Sequence, residues 1–186
     1  MRGLIFLRDE GASAAVEMAL VTPILLALLF GSVEPGNFFM TEHAVEKGVR
    51  DGARYAARLP FAATYTCTSD PATVFADAGA TNNIINVTKT GAVSGTGFPR
   101  LDASYWDRTC GTDTQSVTVS VSCVDKDNID TENTGNTGIY TGLSGTKIPV
   151  VTVSARVKYL SVLGTLGFKT TNLCLNAESK AALQGL

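Results

Sequence analysis

Four cysteines, one histidine and a scatter of carboxylates are the residues of this chain with chemistry to offer. Cys67, Cys110, Cys123 and Cys174 stand far apart, and none forms the C-x-x-C pair that a zinc site or a dithiol redox centre uses. His43 is the sole imidazole and is remote from them in sequence, so metal chelation is not expected. An even set of widely spaced cysteines predicts two disulfides in an oxidising compartment; the competing reading is buried thiols acting as small hydrophobes. His43 sits beside Glu42 and Glu46 on a predicted helix and reads as a solvated side chain rather than a general base.

The other chemical motifs fail their templates. Asp125, Asp127, Asp130 and Glu132 invite a calcium loop, but an EF-hand register would put Ile129 at position five, Asp130 where glycine is needed and Asn136 where the bidentate glutamate belongs. A solvated acidic loop fits better. The stretch GAVSGTG, residues 91–97, lacks the Gly-Lys-Ser/Thr of a phosphate loop and reads as a turn. No hydrolase or kinase signature is found, so neither catalysis nor a cofactor is expected. With a net charge of -2 and 15 scattered Lys and Arg residues, the chain has no basic patch for nucleic acid.

The elements that would position these residues divide in two. Residues 12–33 read ASAAVEMALVTPILLALLFGSV, with Glu17 as their one ionisable side chain. At about 1.5 Å per residue they reach roughly 33 Å, close to the hydrocarbon thickness of a bilayer. A cleaved secretory signal is the competitor; the acidic residues Asp9 and Glu10 in the leader and the absence of a small-x-small site after Phe30 favour a retained anchor. The cysteines all follow this segment, which places the leader in the cytoplasm and the later residues in the periplasm. Glu17 costs about 2.5–3.5 kcal/mol at a helix centre and less near an interface. It either snorkels to the cytoplasmic headgroups or marks an assembly site where a neighbouring subunit supplies a cation.

The run RDEGASAAVEMALVTPILLALLFGSVEPG, followed by GVRDGARYAAR, resembles the opening of TadE-like proteins. The matching features are a polar leader, Gly-Ala, an Ala-Val-Glu step, a mid-helix proline, Phe-Gly-x-x-Glu-x-Gly and an Arg-x-Gly-Ala-Arg-x-Ala helix. The last third, VVTVSARVKYLSVLGTLGF and LCLNAESKAAL, is similar to the family's C-terminal strands. The resemblance implies a minor pilin-like or pseudopilin-like component of a tight-adherence (Flp-type) pilus or secretion system. It would be anchored in the inner membrane among other pilins, pseudopilins and assembly-platform proteins. Some relatives are trimmed by a prepilin peptidase after a glycine, with glutamate fifth in the mature chain. Cleavage after Gly11 would make Glu17 sixth, whereas cleavage after Ala12 makes it fifth but gives up the glycine. The runner-up is a single-pass membrane-anchored binding module or adhesin whose function lies in the Thr- and Asn-rich loops.

The expected fold is α+β: a long N-terminal helix, transmembrane then periplasmic, packed on a small antiparallel sheet in a pilin-like manner. The expected boundaries are a leader at 1–11, a transmembrane helix at 12–34, a helical extension at 35–60 and a periplasmic domain at 61–186. Pro35 predicts a kink where the helix leaves the membrane. Beyond it, Gly48, Gly52 and Ala56 recur at four-residue spacing, an arrangement that admits another backbone, either a sheet of the same chain or a helix of a neighbouring pilin-like subunit. Asp70-Pro71 predicts the start of a second helix, with Ile84 to Val87 either helix or short strand. Three alternating segments predict strands. One carries Val117, Val119, Val121 and Cys123 on a face, the next Val151, Val153, Ala155, Val157 and Tyr159, and the last Leu173, Leu175, Ala177, Ala181 and Leu183. Cys123 is then in phase with the core and Cys174 out of phase, which disfavours bonding them in one unbulged sheet. The preferred pairing is Cys67 with Cys123 and Cys110 with Cys174.

Overall fold

The computed structural model describes residues 10–60, 65–69, 72–75, 78–125, 140, 147–167 and 173–184. The chain divides into two compact units, Met1–Phe39 with Ser161–Lys169, and Met40–Leu160 with Thr170–Leu186.

Helix α1, Glu10–Ala57, runs through both Pro23 and Pro35. The helix stays continuous at Pro35, where a kink is expected. A proline withdraws one amide from the ladder, and here the bonds on either side keep the segment helical. Within the first unit, hydroxyls on the apolar stretch bond back to their own helix: Thr22 Oγ1 to the Met18 carbonyl at 2.6 Å and Ser32 Oγ to Leu29 at 2.9 Å. They need no water to be satisfied. The same unit holds a 3-10 turn, η1, at Val162–Leu166, closed by Gly167 at φ 97°, where only glycine is unstrained.

The second unit is the α+β body. Strand β1 (Tyr65–Ser69) and strand β2 (Ala72–Phe75) form an antiparallel pair with Tyr65 opposite Phe75 and Thr66 opposite Val74. Helix α2 (Ala78–Thr90) and the single turn α3 (Ala103–Trp106) follow. Strands β3 (Val117–Asp125), β4 (Lys147–Lys158) and β5 (Cys174–Ala182) make an antiparallel sheet in the order β3-β4-β5. The three predicted strands are present and in the expected phase. Val121 lies opposite Val151 and Val151 opposite Ala181, while Ala155 pairs with both Val117 and Ala177. Val151, Val153 and Val157 are fully buried. Leu173 departs from the expected face: it precedes β5, is exposed, and accepts the Tyr159 amide at 2.9 Å through its carbonyl.

The helix expected from Asp70-Pro71 is also corrected. Those two residues lie outside the described residues, and the next four, Ala-Thr-Val-Phe, are strand β2. A β-branched and aromatic run with a pairing partner in Tyr-Thr-Cys-Thr outweighs a capping signal. The helix begins instead at Ala78 and buries Ala80, Ile84, Val87 and Thr88, so the strand alternative for Ile84 to Val87 falls away. Gly91 and Gly95, at φ 74° and 75°, confirm the turn read in GAVSGTG. Asp127, Asp130 and Glu132 of the acidic series lie outside the described residues.

Tyr65 fixes the end of α1. Its hydroxyl donates to the Ala56 carbonyl at 2.7 Å, and the Gln184 amide donates to the Ala57 carbonyl at 2.8 Å. Two of the orphan acceptors at the helix C-terminus are thus satisfied by the body it packs into. Burial, then the neighbouring Tyr55, pushes the Tyr65 phenol well above its ordinary range. Tyr65→Phe should lower stability by about 1 kcal/mol at neutral pH. The native state holds a proton that the unfolded chain releases near pH ~10. Wild-type stability therefore declines as pH rises beyond that point, and urea unfolding across alkaline pH should show a shallower decline in Tyr65→Phe.

Candidate assembly surface

In the first unit, Gly11 and Ala12 lie in the first turn of α1. From Val16 to Val33 the large apolar side chains, including Leu20, Ile24, Leu25, Leu28 and Phe30, are exposed. Mean hydropathy reaches 2.1 in this stretch, and the helix is long and apolar enough to cross a membrane. A helix that is apolar all round has no water-facing side and is suited to lipid or to other helices. Glu17 is exposed among these residues.

Glu34 is a functional candidate to which sequence reasoning gave no role. Its Oε2 accepts the Leu163 amide at 3.1 Å, tying η1 to the helix directly after the apolar run. Leu163 is 7% exposed. The available signal was a carboxylate placed at the end of an apolar segment, where a charge finds a hydrogen-bond donor or is costly.

In the second unit, Gly48 and Gly52 face α2. A β-carbon on Gly48 would sit 2.6 Å from the Thr88 carbonyl oxygen, with Trp106 at 3.7 Å, and one on Gly52 would collide with Thr88 Oγ1. The backbone that comes close to these glycines is therefore a helix of the same chain, which corrects the sheet expected there. Thr88 is fully buried, its hydroxyl donating to the Ile84 carbonyl at 2.8 Å. Ala56, the third residue of the stripe, is fully buried and meets β1 through Tyr65. The Asp51 carboxylate pairs with Arg100, both side chains about three-quarters buried, and joins α1 to the loop after α2. His43 is exposed and 3.7 Å from Glu46.

The four cysteines form two disulfides, Cys67–Cys123 with a Cα–Cα distance of 5.8 Å and Cys110–Cys174 with 6.1 Å. This is the preferred pairing, and the phase argument describes the sheet. Cys123 pairs with Pro149 on the face of Val119 and Val121, while Cys174 pairs with Lys158 on the opposite face. Thr109 bridges to Val157, which carries Cys110 to the end of β4 where β5 begins.

Residues 12–54 match the family described as TadE-like protein. Most of helix α1 is therefore similar to the TadE-like family. Comparison with curated proteins and with solved structures finds no match. The TadE-like segment takes in Glu17, Pro23, Glu34, Gly48 and Gly52 and ends three residues before α1 does. The groups these residues touch, Leu163, Thr88 and Trp106, all lie beyond it. The C-terminal strands in which a family likeness was also read are outside the match as well.

Two outcomes follow from this geometry. Gly52→Ala should destabilise the chain in detergent by about 1–3 kcal/mol through overpacking, and adding Thr88→Ala should recover much of that loss. Gly48→Ala meets a backbone carbonyl and should not be recovered by Thr88→Ala; equal rescue of both would overturn the assigned contacts. Non-reducing peptide mapping should yield the Cys67–Cys123 and Cys110–Cys174 linked peptides, with each bond contributing about 2–4 kcal/mol to unfolding stability.

Proposed function

We propose that this chain is a structural component of a Tad (Flp-type) pilus or secretion machine. It is a TadE-like minor pilin or pseudopilin held in the inner membrane by the apolar part of α1, with the second unit in the periplasm. The observation that carries this reading is the coincidence of the TadE-like segment with a helix whose apolar side chains are exposed all round and interrupted by one carboxylate. Such a helix is a mounting element. It sits in lipid, and Glu17 becomes favourable when a neighbouring subunit supplies a cation in the low-dielectric layer. Partners are then other pilins or pseudopilins and the assembly platform. A prepilin peptidase acting beside Gly11 or Ala12 would free the helix for lateral association. The chain works by assembly rather than by catalysing a reaction.

One feature favours the binding-module alternative. Phe98 is 97% exposed on a loop pinned by Asn86, whose amide donates to the Val93 carbonyl at 3.0 Å. An aromatic side chain presented on a tied loop suits a partner contact.

The test is genetic. Deleting the gene in its host should abolish surface pili, and a plasmid copy should restore them. A periplasmic reporter fused after Leu186 should be active. Glu17→Ala should insert in the membrane as well as wild type, or better, yet fail to restore pili; wild-type piliation by that variant would leave Glu17 as a snorkelling side chain and remove it from the assembly site.

A further inference from the structure

The connection between β4 and β5 returns to the helix at a telling height. Glu34 follows Val33, the last residue of the apolar run, and its carboxylate holds the Leu163 amide at 3.1 Å. Side chains on a helix tilt toward its N-terminus. The Glu34 carboxylate therefore reaches back toward the apolar stretch, and η1 is drawn to that level rather than away from it. Both belong to one compact unit. The turn brings its own apolar surface: Leu163 is buried, while Val162 remains 51% exposed. On the helix beside it, Val33 and Phe39 are exposed, and Phe39 stacks edge-to-face on Phe38 with ring centroids 5.7 Å apart. Aromatic and aliphatic side chains around a single carboxylate, just past an apolar helix, have the composition of a membrane–water boundary.

We infer that η1 is a second membrane contact, a foot that rests in the headgroup layer of the leaflet from which α1 emerges, with Glu34 as its tether. Val162 meets acyl chains near the ester region. The carboxylate stays at the wet edge, where accepting a backbone N–H lowers the cost of holding a charge beside lipid. The occupant is the lipid surface because the patch continues the apolar surface of the helix itself. The inference rests on the anchoring proposed above.

The test uses the full-length protein in phosphatidylcholine vesicles, with and without bromine on the acyl chains, placed near the ester end to probe Val162→Trp and near the methyl end to probe Leu25→Trp. Native Trp106 is left in place as background, measured in the wild type. Val162→Trp adds a reporter on the foot, and Leu25→Trp adds one in the apolar run. A side chain seated at the headgroup boundary lies about 5–10 Å into the layer, so brominated lipid should reduce the added Val162→Trp emission at least about twofold, and Leu25→Trp emission should also fall. Quenching of Leu25→Trp without quenching of Val162→Trp overturns the foot and leaves the anchor standing. An unquenched Leu25→Trp overturns the anchor, and the foot with it. Introducing Glu34→Ala into the Val162→Trp chain should weaken the quenching; unchanged quenching removes Glu34 as the tether.

Discussion

The close approach of α2 to α1 at Gly48 and Gly52 is the constraint on which the second unit is built. Two missing side chains let the Thr88 backbone and hydroxyl come within van der Waals reach of the long helix. Thr88 in turn is locked to the Ile84 carbonyl. Helices that pack over glycine approach more closely than the usual 8–10 Å between axes, so the position of α2 is set by contact rather than by a compliant layer of large side chains. Trp106 reaches the same place, and the Asp51–Arg100 pair ties down the loop that leaves α2. The glycines cost helix propensity, about 1 kcal/mol each relative to alanine. Their retention in α1 is explained by what they admit.

Much of this was legible in the sequence, and the reasons differ by element. The sheet announced itself because Val117 to Cys123, Lys147 to Lys158 and Cys174 to Ala182 alternate over most of their length, and a period of two leaves one register that buries Val117, Val121, Val151, Val153 and Val157. That same period separated Cys123 from Cys174 and so guided the disulfide pairing. The hairpin of β1 and β2 was hidden because each strand is very short and its stability resides in the pairing, which no local pattern reveals. Asp70-Pro71 offered a capping signal that the following β-branched residues overrode. The partner of the glycine stripe was equally out of reach: small residues at four-residue spacing state that something comes close, not that it is Thr88. Glu34 stood in a quoted motif, but its role depends on an amide 129 residues away.

Along α1, two carboxylates flank the most strongly apolar part of the run, from Met18 to Val33, and their spacing suits its length. Glu17 and Glu34 are seventeen positions apart, or about 25 Å along the axis. A bilayer with a hydrocarbon core of about 30 Å would leave both near its two boundaries, Glu34 with the Leu163 amide as its donor. The hydroxyls between them, on Thr22 and Ser32, are already bonded to the helix. Charge is thus confined to the ends and polarity is internalised in between. Such a helix tolerates both lipid and a neighbouring helix, since neither has to supply a hydrogen bond along its middle.

The two disulfides interleave. Cys110 lies inside the loop that Cys67 and Cys123 close, and Cys123 lies inside the loop that Cys110 and Cys174 close. If the residues beyond the apolar helix enter an oxidising compartment in sequence order, Cys67 and Cys110 are exposed together while Cys123 has yet to emerge. Oxidation in order of arrival would join the wrong pair. The native bonds need Cys123 on β3 and Cys174 on β5 to have come through as well, and the β4 ladder holds those two strands in register. Sheet formation therefore governs the covalent cross-links rather than following them, and a cell that exports this chain gains more from an enzyme that reshuffles disulfides than from one that merely makes them quickly.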